Sequence, residues 1–131
     1  MTKVTLDNDL MTILERKGLT NRQLVLITDD GGGKYSLHGG ACSIGTKFTL
    51  IVLDQPDPDY PVRLSNDRGL NLWTSNYDLM FLTQGVRMGY RQGRIFIKDD
   101  AHVLDRAVQI ADGAAVLAAF DQGTTPDQAG C

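Results

Sequence analysis

Residues 29–53, DDGGGKYSLHGGACSIGTKFTLIVL, decide how this chain is read. They hold a glycine triplet (Gly31, Gly32, Gly33), a glycine pair (Gly39, Gly40) and Cys42, the only cysteine away from the chain end. The stretch then runs into KFTLIVL (47–53), a short, β-branched, nearly continuous apolar run that reads as a buried strand. Just upstream, QLVLIT (23–28) is a second apolar run bounded by polar residues and reads the same way. Two strands therefore bracket a glycine-rich loop that carries a thiol. Such a loop is either a place for chemistry or simply the connection of a hairpin.

Towards the N-terminus, residues 3–6 alternate as a first strand. Asp7 or Asn8 then caps a helix over 9–17, with Asp9 in its first turn and Arg16 and Lys17 in its last, as the helix dipole favours. Leu10, Ile13 and Leu14 fall on one face, and Gly18 supplies the stop. On the other side of the opening stretch, residues 54–61 (DQPDPDYP) hold three of the four prolines, which predicts an irregular surface loop. Its three aspartates lack the glycine and terminal glutamate of an EF-hand loop, so a solvated loop is expected rather than a calcium site.

Further on, 35–37 and 62–64 read as short strands, 65–69 as a turn, 70–74 as an alternating strand and 75–77 as a polar break. Trp73, the only tryptophan, is expected as a core or interface anchor. In residues 84–93, Val86, Met88 and Tyr90 share one face against Arg87, Gly89 and Arg91. RIFIK (94–98) follows as a strand, and a hairpin turns at 91–93. Residues 101–111 fit a helix stripe and a strand face equally, and 114–120 are helix-like. The last stretch, DQGTTPDQAGC, is polar and bears Gly and Pro. The expected organisation is one domain over 1–120 and a flexible tail over 121–131, whose removal from 122 onward should leave stability nearly unchanged.

The 131 residues are 42% hydrophobic and 22% charged, with a formal charge of −3, which suits one core. The acidic balance argues against a general nucleic-acid binder. No apolar run approaches the ~20 residues that span a bilayer, so no membrane role is expected. The N-terminus lacks an apolar signal region, and Cys42 and Cys131 make no disulfide framework, so a cytoplasmic protein is expected.

For chemistry, glycines beside Cys42 let backbone amides approach the sulfur, which stabilises a thiolate or a metal-bound sulfide. From pattern alone, such a cysteine is more often a small buried hydrophobe than a ligand. His38, four residues earlier, offers a second metal ligand, or an imidazole for a thiol nucleophile, but a closed zinc site needs about four ligands. Asp29, Asp30 and His102 read as turn residues before they read as acid–base groups. The glycines match neither GxxxxGK[ST] nor GxGxxG opening a helix, so no phosphate loop is expected. Arg87, Arg91, Arg94 and Lys98 lie along the hairpin with Tyr90 and Phe96 interleaved. In an acidic protein they read first as a solvated sheet face.

GGACSIG (39–45), entered from an apolar strand and followed by KFTLIVL, together with NYDLMFLTQGVRMGYRQGRIFIKDD (76–100), resembles the HesB-like (A-type) iron–sulfur cluster biosynthesis family. The likeness runs from Val4 to Ile110 in order and spacing. It implies an α+β, mostly β fold: a HesB-like curved sheet or pseudo-barrel with an N-terminal helix. It also places Cys42 at the family's first cysteine. Cluster-carrying members have a Cys-Gly-Cys pair after the last core strands, whereas this chain reads DDAHVLDRAV there, without cysteine.

The resemblance thus implies a non-enzymatic iron or cluster carrier of a divergent branch, with Cys42 as cofactor-binding residue and metal ligand. His38 is a second metal ligand, with His102 a further helper. Iron or an iron–sulfur cluster is the implied cofactor. A homodimer sharing a cluster, and iron–sulfur assembly or acceptor proteins, are the implied partners. Two alternatives stand beside it: a HesB-like binding or protein-interaction module that has lost cluster binding, and a thiol enzyme using Cys42 with His38. The expected core is Leu26, Phe48, Leu50, Val52, Leu72, Leu82, Val86, Ile95 and Ile97, packed on the N-terminal helix.

Overall fold

The computed structural model describes residues 3–28, 34–35, 47–82 and 85–121, with side chains as far as 118. Its elements are β1 (Lys3–Leu6), α1 (Asn8–Arg16), β2 (Gln23–Thr28), β3 (Phe48–Leu53), β4 (Val62–Arg63), β5 (Ser65–Asn66) and β6 (Asn71–Thr74). There follow α2 (Asn76–Leu79), β7 (Arg87–Arg91), β8 (Arg94–Lys98), β9 (Val103–Asp112) and α3 (Gly113–Asp121). The strands form one sheet in the order β4-β6-β2-β3-β9-β8-β7-β1-β5.

The two ends of that order are neighbours in the chain. β4 pairs with β6 at one end, β5 pairs with β1 at the other, and Leu64 alone separates them. One kinked segment therefore draws the sheet into a nearly closed barrel, which leaves little unpaired edge. Leu64 is fully buried, and its N–H donates to Leu72 O at 2.8 Å. Asn66 secures the kink: its Nδ2 donates to Leu70 O and its Oδ1 accepts from the N–H groups of Arg68 and Leu70. Residues 65–66 are thus a strand, where the sequence predicted a turn. The side-chain hydrogen bonds of Asn66 replace the ladder that follows.

Strand β9 is the corner of the barrel. Its first half pairs antiparallel with β8, through register shifts at Ile97, and residues 109–112 pair parallel with β3. The ambiguous segment 101–111 is a strand because these two neighbours each take part of its length. A bulged strand that changes partner in this way bends the sheet onto itself.

α1 plugs the barrel. Asp7 caps it by accepting the Leu10 N–H at 2.8 Å, and Gly18 leaves the helix at φ +69°. Leu10 and Leu14 join a core that includes all nine residues expected there. Full burial of such a leucine contributes about 1.5–3 kcal/mol. A second apolar cluster lies on the opposite face of β2 and β3, where Val25, Ile27 and Ile51 meet Tyr35, Tyr60 and Val116 of α3. Both strands are covered on both faces, which is why they read as continuous apolar runs rather than alternating ones. Trp73 anchors the edge of this cluster, donating from Nε1 to Gln23 Oε1 at 2.8 Å beneath the Arg63 guanidinium.

Three further expectations change. Residues 76–79 form a short helix rather than a break, because Ser75 accepts the Asp78 N–H as an N-cap. Tyr35 lies in a turn rather than a strand, and the rest of 35–37 lies outside the described residues. Tyr90 pairs with Ile95 on the inward face, half-buried on the core, so it is not interleaved with the arginines. The tail 122–131 lies outside the described residues. Among the described residues no helix is long and apolar enough to cross a membrane.

Candidate functional site at the base of the glycine-rich segment

β2 and β3 run antiparallel, and their register ends on the pair Thr28↔Phe48. The segment between them begins and ends at that pair. Cys42 and His38, the two residues singled out for a site, lie outside the described residues, as do Asp29 and Asp30. What the structure does define is how the segment is held.

A buried carboxylate holds each end. Asp78 Oδ1 accepts the Thr28 N–H at 2.8 Å, while its Oδ2 takes the Ser75 hydroxyl at 2.5 Å. Asp105 Oδ2 accepts the Phe48 N–H at 2.9 Å, while its Oδ1 takes the Ala107 N–H at 2.9 Å. Both residues are 6% exposed. An unpaired backbone amide at either place would be buried, and a carboxylate acceptor makes the stronger kind of hydrogen bond. Asp105 takes the Phe48 amide just before the parallel β3–β9 ladder begins at Thr49↔Gln109, and it also braces the bulge that turns β9.

A third anchor lies within the segment. Lys34 Nζ sits 2.7 Å from Asp57 Oδ2 and 2.8 Å from Asp59 Oδ2, and Tyr35 donates its hydroxyl to Asp57 Oδ2 at 2.6 Å. The Tyr35 and Tyr60 ring centroids are 5.6 Å apart. Burial by itself lowers the Lys34 ammonium, but its hydrogen bonds to Asp57 and Asp59 outweigh this and raise it above the usual lysine range. Burial raises the Asp57 carboxyl, but the hydrogen bonds from Lys34 and Tyr35 outweigh that and hold it below its ordinary value. Burial, then the bond to Asp57, raises Tyr35. Burial together with the Asp78 carboxylate pushes Tyr60 up to about 12. Two of the three aspartates of the proline-rich loop, Asp57 and Asp59, are therefore engaged by Lys34, the third, Asp54, pairs with Arg22 at 2.7 Å, and the loop clamps residues 34–35 onto the barrel.

Two buried hydroxyls at this end of the sheet, Thr28 Oγ1 and Thr49 Oγ1, have no hydrogen-bond partner among the described residues. No group of three or more His, Cys, Asp or Glu side chains among the described residues is placed to hold a metal ion. The described framework by itself therefore offers no ligand set for iron or a cluster. His102 stands in an exposed turn: the Asp99 carboxylate accepts the N–H groups of Ala101 and His102 at 2.8 Å each. That turn follows β8, where the Cys-Gly-Cys pair was expected, but β9 comes after it as a further core strand, so it does not lie beyond the last core strands.

The sequence reading missed Asp78 and Asp105. Ser75 and Asp78 have the S-x-x-D spacing of a helix start, which was available as a signal. Asp105 lay within a segment whose period was ambiguous, and nothing local marked its carboxylate as inward.

A family model described as iron-sulphur cluster biosynthesis matches residues 2–112. No curated protein matches the chain. Among solved structures, a "putative Fe-S biosynthesis protein" from Lactobacillus acidophilus is 35% identical and superposes with a TM-score of 0.82. That match covers 93% of this chain and 99% of the other. A second, from Lactobacillus salivarius, is 22% identical with a TM-score of 0.65, covers 84% of this chain and 97% of its own, and bears on the fold alone. With the family match spanning residues 2–112 and a solved relative similar over nearly its whole length, the chain belongs to the iron–sulphur cluster biosynthesis family.

Proposed function

We propose that the protein serves iron–sulfur cluster biosynthesis as a non-enzymatic carrier, working in the cytoplasm, with residues 1–120 as one domain. Iron or a cluster is its cargo, and Cys42 is the ligand. The observation that carries this reading is the family match over residues 2–112, which takes in both the β2–β3 frame and the cysteine-bearing segment. Clusters are usually held by several thiolates. One internal thiolate per chain therefore implies that two copies share the cargo, with His38 as the accessory ligand, before it passes to an acceptor protein. Anaerobic reconstitution with iron and sulfide tests this: wild type should gain visible absorbance and Cys42→Ala should not. If both stay colourless at stoichiometric iron, the carrier reading fails.

A second reading has its own observation. The turn closed by the Asp99 N–H to His102 O bond at 3.0 Å, strand β9 after it and the start of α3 carry no cysteine, whereas carrier members have a Cys-Gly-Cys pair after the last core strands. A member without that pair is suited to protein interaction on the same fold. Alkylation separates the two readings. A Cys42 thiol that reacts rapidly at pH 6 favours the ligand role, and a protected, unreactive one favours the interaction module.

A further inference from the structure

The outward face of the β7–β8 hairpin breaks a rule of sheet chemistry twice. Arg87 lies directly opposite Lys98, and Arg91 lies directly opposite Arg94. Like charges in register across strands repel. Among the described residues, no carboxylate forms an ion pair with any of these four side chains, in a protein whose net charge is −3. Between the two pairs, Gly89 faces Phe96, and the half-buried Phe96 ring lies under the Arg91 guanidinium with 6.0 Å between them. Beside this hairpin, Arg106 of β9 and the exposed Val103 close an open groove of about 570 Å³ that also takes in Arg91, Arg94, Phe96 and Lys98. Among the described residues, no acidic one lines it.

We propose that this groove docks an extended acidic segment of a partner protein, with two carboxylates flanking an apolar residue. On β8 the order outward is Arg94, Phe96, Lys98, so the cations stand about 13 Å apart with the ring midway. A strand-like peptide with acids at positions i and i+4 and an apolar side chain at i+2 has the same spacing. Its carboxylates offset the repulsion within each cross-strand pair, and its apolar residue covers Phe96. A nucleic-acid strand fits less well. Its charge would continue past Lys98 onto Asp100, which lies against Gly85, whereas the Asp7 carboxylate over Gly89 stands between the two cation pairs on the β7 side, apart from the residues that line the groove. A local exception to good sheet pairing, kept where a groove opens, is the pattern of a binding site rather than of a stabilising surface. The proposal stands independently of any cargo at Cys42.

The test is fluorescence anisotropy at low salt with the labelled peptide GEALAEG, against GQALAQG as control. Binding of the acidic peptide should weaken roughly 10-fold in Arg94→Glu and in Lys98→Glu, and again on raising salt to about 0.2 M. Cys42→Ala should bind as wild type does. Far-ultraviolet circular dichroism confirms that the charge variants are folded, as expected for exposed or half-exposed positions. Equal binding of the two peptides, or undiminished binding by folded Arg94→Glu, overturns the proposal. So does tighter binding of a single-stranded oligonucleotide at the same residues. Self-association that Arg94→Glu abolishes, without peptide binding, would assign the groove to a second copy instead.

Discussion

The buried carboxylate of Asp105 accepts the backbone N–H of Phe48 at 2.9 Å, across 57 residues of sequence. This joins the first residue of β3 to the corner strand and fixes one end of the glycine-rich segment. Asp105→Ala leaves the buried amide of Phe48 and the partly buried amide of Ala107 without their acceptor. Hydrogen bonds to a charged group contribute about 1.5–3 kcal/mol each, so the variant should lose about 2–4 kcal/mol. Asp105→Asn keeps one accepting oxygen and should lose less. Urea denaturation gives the stability, and amide exchange at Phe48 gives the site. An Asp105→Ala protein with unchanged midpoint and unchanged Phe48 protection would show that the carboxylate does not hold the strand.

The clamp on residues 34–35 makes stability depend on pH at both extremes. Asp57 has a lowered folded value, so its contribution is present above the ordinary carboxylate range and is lost as pH falls through the folded value, below about 4. Tyr35 and Tyr60 are raised, so their contribution is whole below about 10, the ordinary tyrosine value, and fades as pH rises through it toward the folded values. Thermal melting across pH should therefore show an alkaline loss that Tyr60→Phe reduces and an acid loss that Asp57→Asn reduces. A tyrosinate absorbance that rises fully near pH 10 in the folded protein would contradict the raised values.

Elements whose burial is expressed in their own sequence could be read without the fold. QLVLIT and KFTLIVL are apolar because both faces are covered, and α1 carries its cap, stripe and stop within the short run from Asp7 to Gly18. The core list held for the same reason, since each residue's neighbours announce its periodicity. What could not be read depends on distant partners. β5 is a strand because β1 lies beside it, and β9 is a strand because β3 and β8 divide it between them. Asp78 and Asp105 look like ordinary surface acids until the amides they receive, 50 and 57 residues away, are known. Of the candidate site, the sequence located the segment, and the structure supplied its anchors.

The hairpin turn between β7 and β8 offers a gain in stability. Gln92 has φ +54° and Gly93 φ +80°, so both central residues take the left-handed conformation of a two-residue turn. Glycine adopts it freely, whereas glutamine is strained there by roughly 1 kcal/mol. Gln92→Asn creates the preferred Asn-Gly turn and should stabilise the protein by about 0.5–1 kcal/mol, raising the melting temperature by a few degrees. A variant that melts at or below wild type would mean that Gln92 makes an interaction worth at least as much as the strain.

Gly89 is set in β7 for a different reason, since two groups already fill the space of a side chain. A Cβ there would run into the Phe96 ring, whose Cε2 would lie at 2.6 Å, and into the Asp7 carboxylate. Asp7 is not free to move, because its Oδ1 caps α1 through the Leu10 N–H and its backbone N–H donates to Met88 O at 3.1 Å. Gly89→Ala should therefore cost about 1–3 kcal/mol, as overpacking does. It should also speed amide exchange at Leu10, because relief of the clash draws the cap away from the helix. Replacing Phe96 by leucine removes only one of the two obstacles, so Gly89→Ala in a Phe96→Leu background should still expose Leu10 while costing less overall. If the double variant restores Leu10 protection fully, the ring alone sets the requirement for glycine and Asp7 is a bystander.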